Sequence, residues 1–418
     1  MRTIVVGAGI VGVTTAYELA CLGHEVTLFE RRAGVAAEGS FANAGVLAPG
    51  YVTPWAAPGM SAKVLRQMLG RHAAVRFDGL SALAQLPWML RWRLACRPRV
   101  YAANRAAMVR LARFSQERLL ELTRRLALDY EQQPGYLVLL RGARELQAAE
   151  RTTRLLTELG VAHELVDAER CRRLEPGLSA RAPLAGAIHL AQDGVGNCRQ
   201  FAHLIKAEAQ RLGAAFRLDS EVLAVEPGRP AAVRTADGRR HEAEAVVICA
   251  GVQANRLLAP HGLALPLAPV YGYSITAPLA QRDDQPCTGP RAALMDERFK
   301  VAISRLGQRV RVAGSAEIGG SVERLNPAPL ATLYKVLEDW FPGAAVVHEA
   351  QQWKGARPML PDGPPVLGAS GQPGLWLNLG HGSSGWMLAC GSARVLADLV
   401  SGRPAPIDLG SLQRARLH

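Results

Sequence analysis

TIVVGAGIVG, residues 3–12, sets a short apolar strand pattern directly before three glycines in G-x-G-x-x-G spacing, Gly7, Gly9 and Gly12. A helical pattern follows through Ala16, Leu19 and Ala20. The three glycines act differently. Gly7 makes the tight turn, Gly9 lets backbone approach a pyrophosphate, and Gly12 lets the helix pack on the strand. The pyrophosphate is expected at the helix N-terminus, where free N–H groups and the positive dipole end meet it. A second strand pattern, EVTLFE, ends in Glu30, at the distance where an acidic side chain takes the ribose hydroxyls. Strand, turn, helix, strand and acid together predict a Rossmann-like α/β domain for FAD or NAD; Glu30 disfavours the 2′-phosphate of NADP.

The 418 residues, 49% of them hydrophobic, allow a large core and two or three domains. Net charge is +13, carried almost entirely by arginine. It reads as spread along the chain, because no block of five or more basic residues occurs. The seven cysteines (Cys21, Cys96, Cys171, Cys198, Cys249, Cys287 and Cys390) are odd in number and include no C-x-x-C pair. Neither a disulfide framework nor a metal site is expected, and a reducing, cytoplasmic compartment is. The start, MRTIVVGAGIVGVTTAYELA, has the outline of a signal peptide, but its glycine spacing assigns it to the dinucleotide turn. No run of 18 apolar residues is present, so no membrane span is expected.

After Glu30 the chain becomes loop-like and small-residue-rich from Arg31 to Met60, where an NAD domain normally continues into strand and helix. GSFANAG, residues 39–45, has side chains small enough for backbone to lie against a flat ring. From here the sequence resembles the flavin-dependent D-amino acid oxidase and dehydrogenase superfamily, and through PGYVTPWAAPGM, residues 49–60, its bacterial small-subunit dehydrogenases in particular. SEVLAVE, AEAVVICAGVQANRLL, VYGYSIT, WKGARPMLPDGPPVLG and LWLNLGHGSSGW carry the resemblance along nearly the whole chain. Phe41, Lys354 and Ala356 depart from the usual pattern and bear on substrate preference.

The resemblance implies FAD as cofactor, bound by Gly7, Gly9, Gly12, Glu30, Arg31, Ala42, Asn43, Ala44, Gly45, Val222, Ala250, Gly251, Gly380, Gly382, Gly385 and Trp386. It implies D-amino acids as substrates, oxidised by transfer of the Cα hydride to flavin N5, with the imine hydrolysing to a 2-oxo acid and ammonia. GHGSSGW, residues 380–386, then brings the start of the last helix to the flavin, where developing negative charge meets the helix dipole. Arg357 is implied to hold the substrate carboxylate; it precedes Pro358, which favours extended backbone, and its guanidinium offers two parallel donors. Tyr271 and Tyr273 fall on one face of a strand, and either hydroxyl can close over substrate, with Tyr273 the better match. Tyr51 is a further substrate-side candidate, and His381 a catalytic one.

Patterning predicts helices over 105–128 and 200–212, a hairpin turn at Ala236–Gly238, a buried strand over 244–251, and strands around KVAISR and VRVAGS. The FAD-binding domain is expected to be discontinuous, 1–50, 185–261 and 351–410, with an α+β, sheet-based substrate domain from 51–184 and 262–350. Related amine oxidation (of glycine, sarcosine or a hydroxy-D-proline), an RNA-modifying flavoprotein and a non-catalytic nucleotide module are the alternative readings. No aromatic stacking platform or added basic domain supports nucleic acid as partner. A quinone or other respiratory-chain acceptor is implied, reached by peripheral contact with the cytoplasmic face of the inner membrane.

Overall fold

A computed structural model describes residues 1–67, 70, 72–280 and 289–417. Cys287 lies outside them. Two large sheets organise the chain. The first has six strands in the order Val366–Ala369, Leu375–Leu379, Ala245–Ile248, Arg2–Val6, Glu25–Phe29 and Ala215–Arg217. All pairings are parallel except that of the edge strand Val366–Ala369. Because strand side chains alternate, each central strand feeds two cores. Val5 and Val247 point to one face, packed with helices Ile10–Cys21, Cys198–Arg211 and Gly385–Val400. Ile4, Val6, Val246 and Ile248 point to the other, covered by the antiparallel ribbon Val222–Glu226, Ala231–Thr235 and Arg240–Ala243.

The second sheet is mixed and has ten strands, with Ala268–Pro278 between Gln351–Met359 and Arg309–Ile318 at one end. Val301–Leu306, Ala293–Asp296, Gln133–Leu140, Gly186–Val195 and Val46–Leu47 continue it. Helix Pro327–Trp340 packs Leu333, Val336 and Trp340 against Tyr273, Ile275, Ile303 and Val312 on its back.

Sheet membership divides the chain differently from the expected segments. Strands Gly186–Val195 and Gln351–Met359 pair within the ten-stranded sheet, although segments 185–261 and 351–410 are expected on the nucleotide side. Conversely, the long helix Pro98–Arg125 places Leu119 and Leu122 in the core of the six-stranded sheet. It is tied there by a buried bidentate pair, Arg118 Nε and Nη2 to Glu18 Oε1 and Oε2 at 2.7 and 2.8 Å. These exchanges follow from backbone pairing and side-chain packing across long sequence separations, which no local pattern reports.

Local expectations fare better. The second helix begins at Cys198, capped by Asn197 Oδ1, which accepts from Gln200 N at 3.2 Å. The turn at Ala236–Gly238 closes with Gly238 N donating to Thr235 O at 3.0 Å. The long helix starts earlier than 105 because Pro98 sits in its first turn, where a missing N–H costs nothing. The basic excess is less even than the absence of basic blocks suggests: residues 39–116 hold eleven Lys and Arg and one acid, Asp78. Ten of the net thirteen positive charges therefore fall in less than a fifth of the chain.

Candidate functional site

A cleft of about 1330 Å³ runs between the two sheets, from Gly7, Gly9 and Glu30 at one end to Arg357 and His381 at the other. At the first end Gly7 has φ +102°, and a Cβ there would lie 2.8 Å from Cys249 O, so only glycine passes. A Cβ on Gly12 would lie 1.8 Å from Gly7 O. Gly12 is thus the helix-to-turn contact itself and does not line the cleft, unlike the other proposed cofactor residues. Glu30 Oε2 accepts from Ala8 N at 2.7 Å and Oε1 from Arg32 N at 2.9 Å. Both oxygens keep lone pairs for a ribose. The Arg31 guanidinium is turned to Glu38, Nη2 to Oε1 at 2.6 Å. Val222, Ala250 and Gly251 complete the wall at this end.

In the middle, the run Ala42, Asn43, Ala44 and Gly45 is held from the opposite sheet. Ser274 Oγ donates to Ala42 O at 2.8 Å, Arg311 Nη1 to Asn43 O at 3.1 Å, and Ser304 Oγ to Ala44 O at 2.7 Å. Asn43 Oδ1 in turn accepts from Gly45 N at 3.0 Å. Three successive carbonyls are thereby engaged, one from each of three neighbouring strands. Burial lowers the Arg311 pKa to about 10, so the guanidinium keeps its charge at neutral pH. Ser274, Ser304 and Arg311 carry no sequence motif; they matter because alternate strand positions of one sheet face the other domain.

At the far end, Ala268–Pro278 and Gln351–Met359 run antiparallel, with Tyr271 opposite Ala356 and Tyr273 opposite Lys354. The Arg357 guanidinium lies over Gly272, where a Cβ would come within 2.3 Å of Nη2. Its Nη1 donates to Ser315 O at 2.8 Å, and its Cζ lies 5.9 Å from the Trp55 ring centroid. Burial alone lowers its pKa to about 10, and no acid among the described residues compensates the charge. A desolvated guanidinium that faces a cleft and lacks a balancing acid can accept a carboxylate through two parallel hydrogen bonds.

The tyrosines differ from expectation. Tyr273 is 1% exposed, and its hydroxyl donates to Glu317 Oε2 at 2.7 Å. Glu317 Oε1 also accepts from Lys354 Nζ at 2.6 Å, an ion pair shut inside the protein. Burial and Glu317 together push the Tyr273 pKa well up. The Tyr273 hydroxyl is therefore engaged, whereas that of Tyr271 has no hydrogen bond among the described residues. Lys354 Nζ sits 4.7 Å from the Tyr271 ring centroid and 5.3 Å from that of Tyr273, so both rings share one face. Tyr51 lines the cleft as well, its hydroxyl donating to Glu297 Oε2 at 2.6 Å.

His381 closes this end. Its Nε2 lies 3.0 Å from Ser392 Oγ, and burial lowers its pKa to about 3, so it is neutral at physiological pH. Gly380, Gly382 and Gly385 surround it, through a 3₁₀ turn Gly382–Ser384 that runs into helix Gly385–Val400. No side chain caps that helix, and its first residues line the cleft. Trp386 contributes to the wall while Nε1 donates to Gly196 O at 3.2 Å and the ring packs on Tyr130 and Phe201.

The cleft fits FAD: a glycine turn before a helix, an acid at the next strand end, a pinned small-residue run, and an uncapped helix start follow one another along it. The chain matches the family described as FAD dependent oxidoreductase over residues 2–399. It is 46% identical over 417 residues to a D-amino acid dehydrogenase of Cereibacter sphaeroides, covering 99% of this chain and 94% of that one. A D-amino acid dehydrogenase of Rhizorhabdus wittichii is 43% identical over 426 residues, with 99% of each chain covered. Among solved structures, glycine oxidase from Geobacillus kaustophilus superposes with a TM-score of 0.74 at 23% identity, covering 99% of this chain and 98% of that one. That likeness is one of fold. Taken with the cleft, the full-length match shows that the chain belongs to the FAD dependent oxidoreductase family and that its cofactor is FAD.

Proposed function

We propose that the protein oxidises D-amino acids to 2-oxo acids and ammonia and passes the electrons to a quinone-type acceptor. The observation that carries this reading is the Arg357 guanidinium, buried at the end of the cleft without an acid to balance it. A substrate carboxylate supplies the missing charge through two parallel hydrogen bonds. The D-configuration and the dehydrogenase character are supported by the names of relatives identical at 46% and 43% over nearly the full length.

When bound, FAD supplies the two-electron acceptor for the Cα hydride. The chain's own residues do the positioning. Arg357 fixes the carboxylate, and Tyr273 steadies Lys354 through Glu317. Trp55 and the other apolar walls exclude water and favour the neutral amine, whose lone pair drives loss of the hydride. His381, neutral and bonded to Ser392, packs the helix start. The amine proton leaves to solvent as the imine forms, and water then adds to the imine and releases ammonia.

The test is anaerobic mixing of the FAD-loaded protein with panels of D- and L-amino acids while flavin absorbance is followed. Bleaching by D- but not L-enantiomers is expected. Bleaching by L-amino acids alone, or by neither series, overturns the proposal.

A further inference from the structure

Helix Leu86–Ala95, with the 3₁₀ segment Gly79–Gln85 before it, is apolar on two opposite faces. Trp88, Met89 and Trp92 face inward and line the cleft. Leu83 and Leu94 lie outside the cleft wall and are 55% and 53% exposed, and Leu90, 61% exposed, lies at the cleft's rim. A surface helix of a soluble protein keeps its outer face polar. Here exposed leucines, Leu83, Leu86, Leu90 and Leu94, recur at about one-turn spacing, with Pro87 exposed beside them. The exposed arginines Arg91, Arg93, Arg97 and Arg99 border this stripe. None of the four forms an ion pair among the described residues, and residues 79–116 contain no acid at all. An apolar stripe framed by unpaired cations is complementary to the boundary between anionic headgroups and acyl chains.

We propose that residues 79–99 form the surface by which this protein docks on an anionic phospholipid bilayer. The leucines enter the acyl boundary and the arginines meet the headgroup phosphates. Because the same helix walls the cleft from inside, docking sets the cleft's entrance against the lipid, where an apolar acceptor is dissolved. No helix among the described residues is long and apolar enough to cross a membrane, so the contact is with one leaflet. The inference locates the acceptor of the proposed reaction, but the docking surface is tested without turnover, so either can fail alone.

The experiment is flotation of the FAD-loaded protein with vesicles of phosphatidylcholine alone or mixed with an equal part of phosphatidylglycerol. The wild type is expected to float with the mixed vesicles and to be released by high salt. Leu83→Glu/Leu94→Glu, at positions outside the cleft wall, should lower vesicle partition by at least about tenfold while FAD content and dye-coupled turnover stay within about twofold. Arg91→Glu/Arg97→Glu should abolish the preference for phosphatidylglycerol. Wild-type protein that stays unbound with both vesicle types overturns the proposal. So does a double leucine variant that floats as well as wild type. Light scattering separates the rival occupant: a wild-type dimer made monomeric by the leucine substitutions, with vesicle binding unchanged, assigns the stripe to a second copy of the chain and overturns the bilayer.

Discussion

Arg357 is the residue on which the substrate assignment turns. Its charge is buried, its one hydrogen bond goes to the Ser315 carbonyl, and no carboxylate of the described residues answers it. Arg357→Ala is expected to lower kcat/KM for D-amino acids by about two to three orders of magnitude, as roughly 3 to 4 kcal/mol is lost when a desolvated charge pair loses one partner. FAD content should stay normal; turnover within about threefold of wild type would show that the carboxylate is held elsewhere. Asp193 makes a second residue-scale prediction. Burial raises its pKa to about 7, and its Oδ2 has no hydrogen-bond partner. The folded state thus holds a proton that the unfolded chain releases near pH 4, so this group's contribution to stability is lost as pH rises from about 4 to 7. Asp193→Asn should raise Tm relative to wild type, with a gap that grows over that interval and is flat above it. A gap that shrinks with rising pH contradicts the assignment, and the readout is paired thermal melts across the range.

At the scale of elements, the opening strand, turn and helix were legible because their geometry is dictated by a few consecutive residues. Gly12 shows how tightly. A Cβ there meets Gly7 O at 1.8 Å, and neither backbone segment has room to retreat. Gly12→Ala should therefore yield protein that is colourless as purified and melts well below wild type, whereas Ala8→Gly, next to the same turn, should retain FAD. Measuring the absorbance ratio of flavin to protein decides it; normal flavin content in Gly12→Ala would remove the steric argument. The helix at the chain's far end was equally readable from its glycines. The choice between Tyr271 and Tyr273 was not. Two residues apart on one strand, they look alike in sequence, and only the arrival of Glu317 from the neighbouring strand engages one hydroxyl and leaves the other.

The cleft that fits FAD lies between two sheets, and this has thermodynamic and kinetic consequences. Because FAD contacts are available only when both sheets are folded and docked, removal of FAD should lower Tm and re-addition should restore it in a concentration-dependent manner. A Tm independent of FAD would mean that the cleft does not close on the cofactor. For the electrons, protein reduced anaerobically by D-alanine should be reoxidised by a soluble quinone much faster than by air-saturated buffer. Stopped-flow traces in which oxygen outpaces quinone at comparable concentrations would make the protein an oxidase and leave its substrate class untouched.

Glycine spacing, strand and helix periodicity and the acid at Glu30 suffice to specify a dinucleotide-binding α/β fold, because each depends on backbone sterics within a few residues. Resemblance across separated segments extended that reading to the flavin and to Arg357. The allocation of strands 186–195 and 351–359 to the ten-stranded sheet, the pinning of residues 42–44 by Ser274, Arg311 and Ser304, and the exposed leucines of helix Leu86–Ala95 emerge only in three dimensions. Each is a relation between residues tens to hundreds of positions apart, or between a helix and the solvent around it. Free energy there depends on which surfaces meet, and that is settled by the packing of the complete chain.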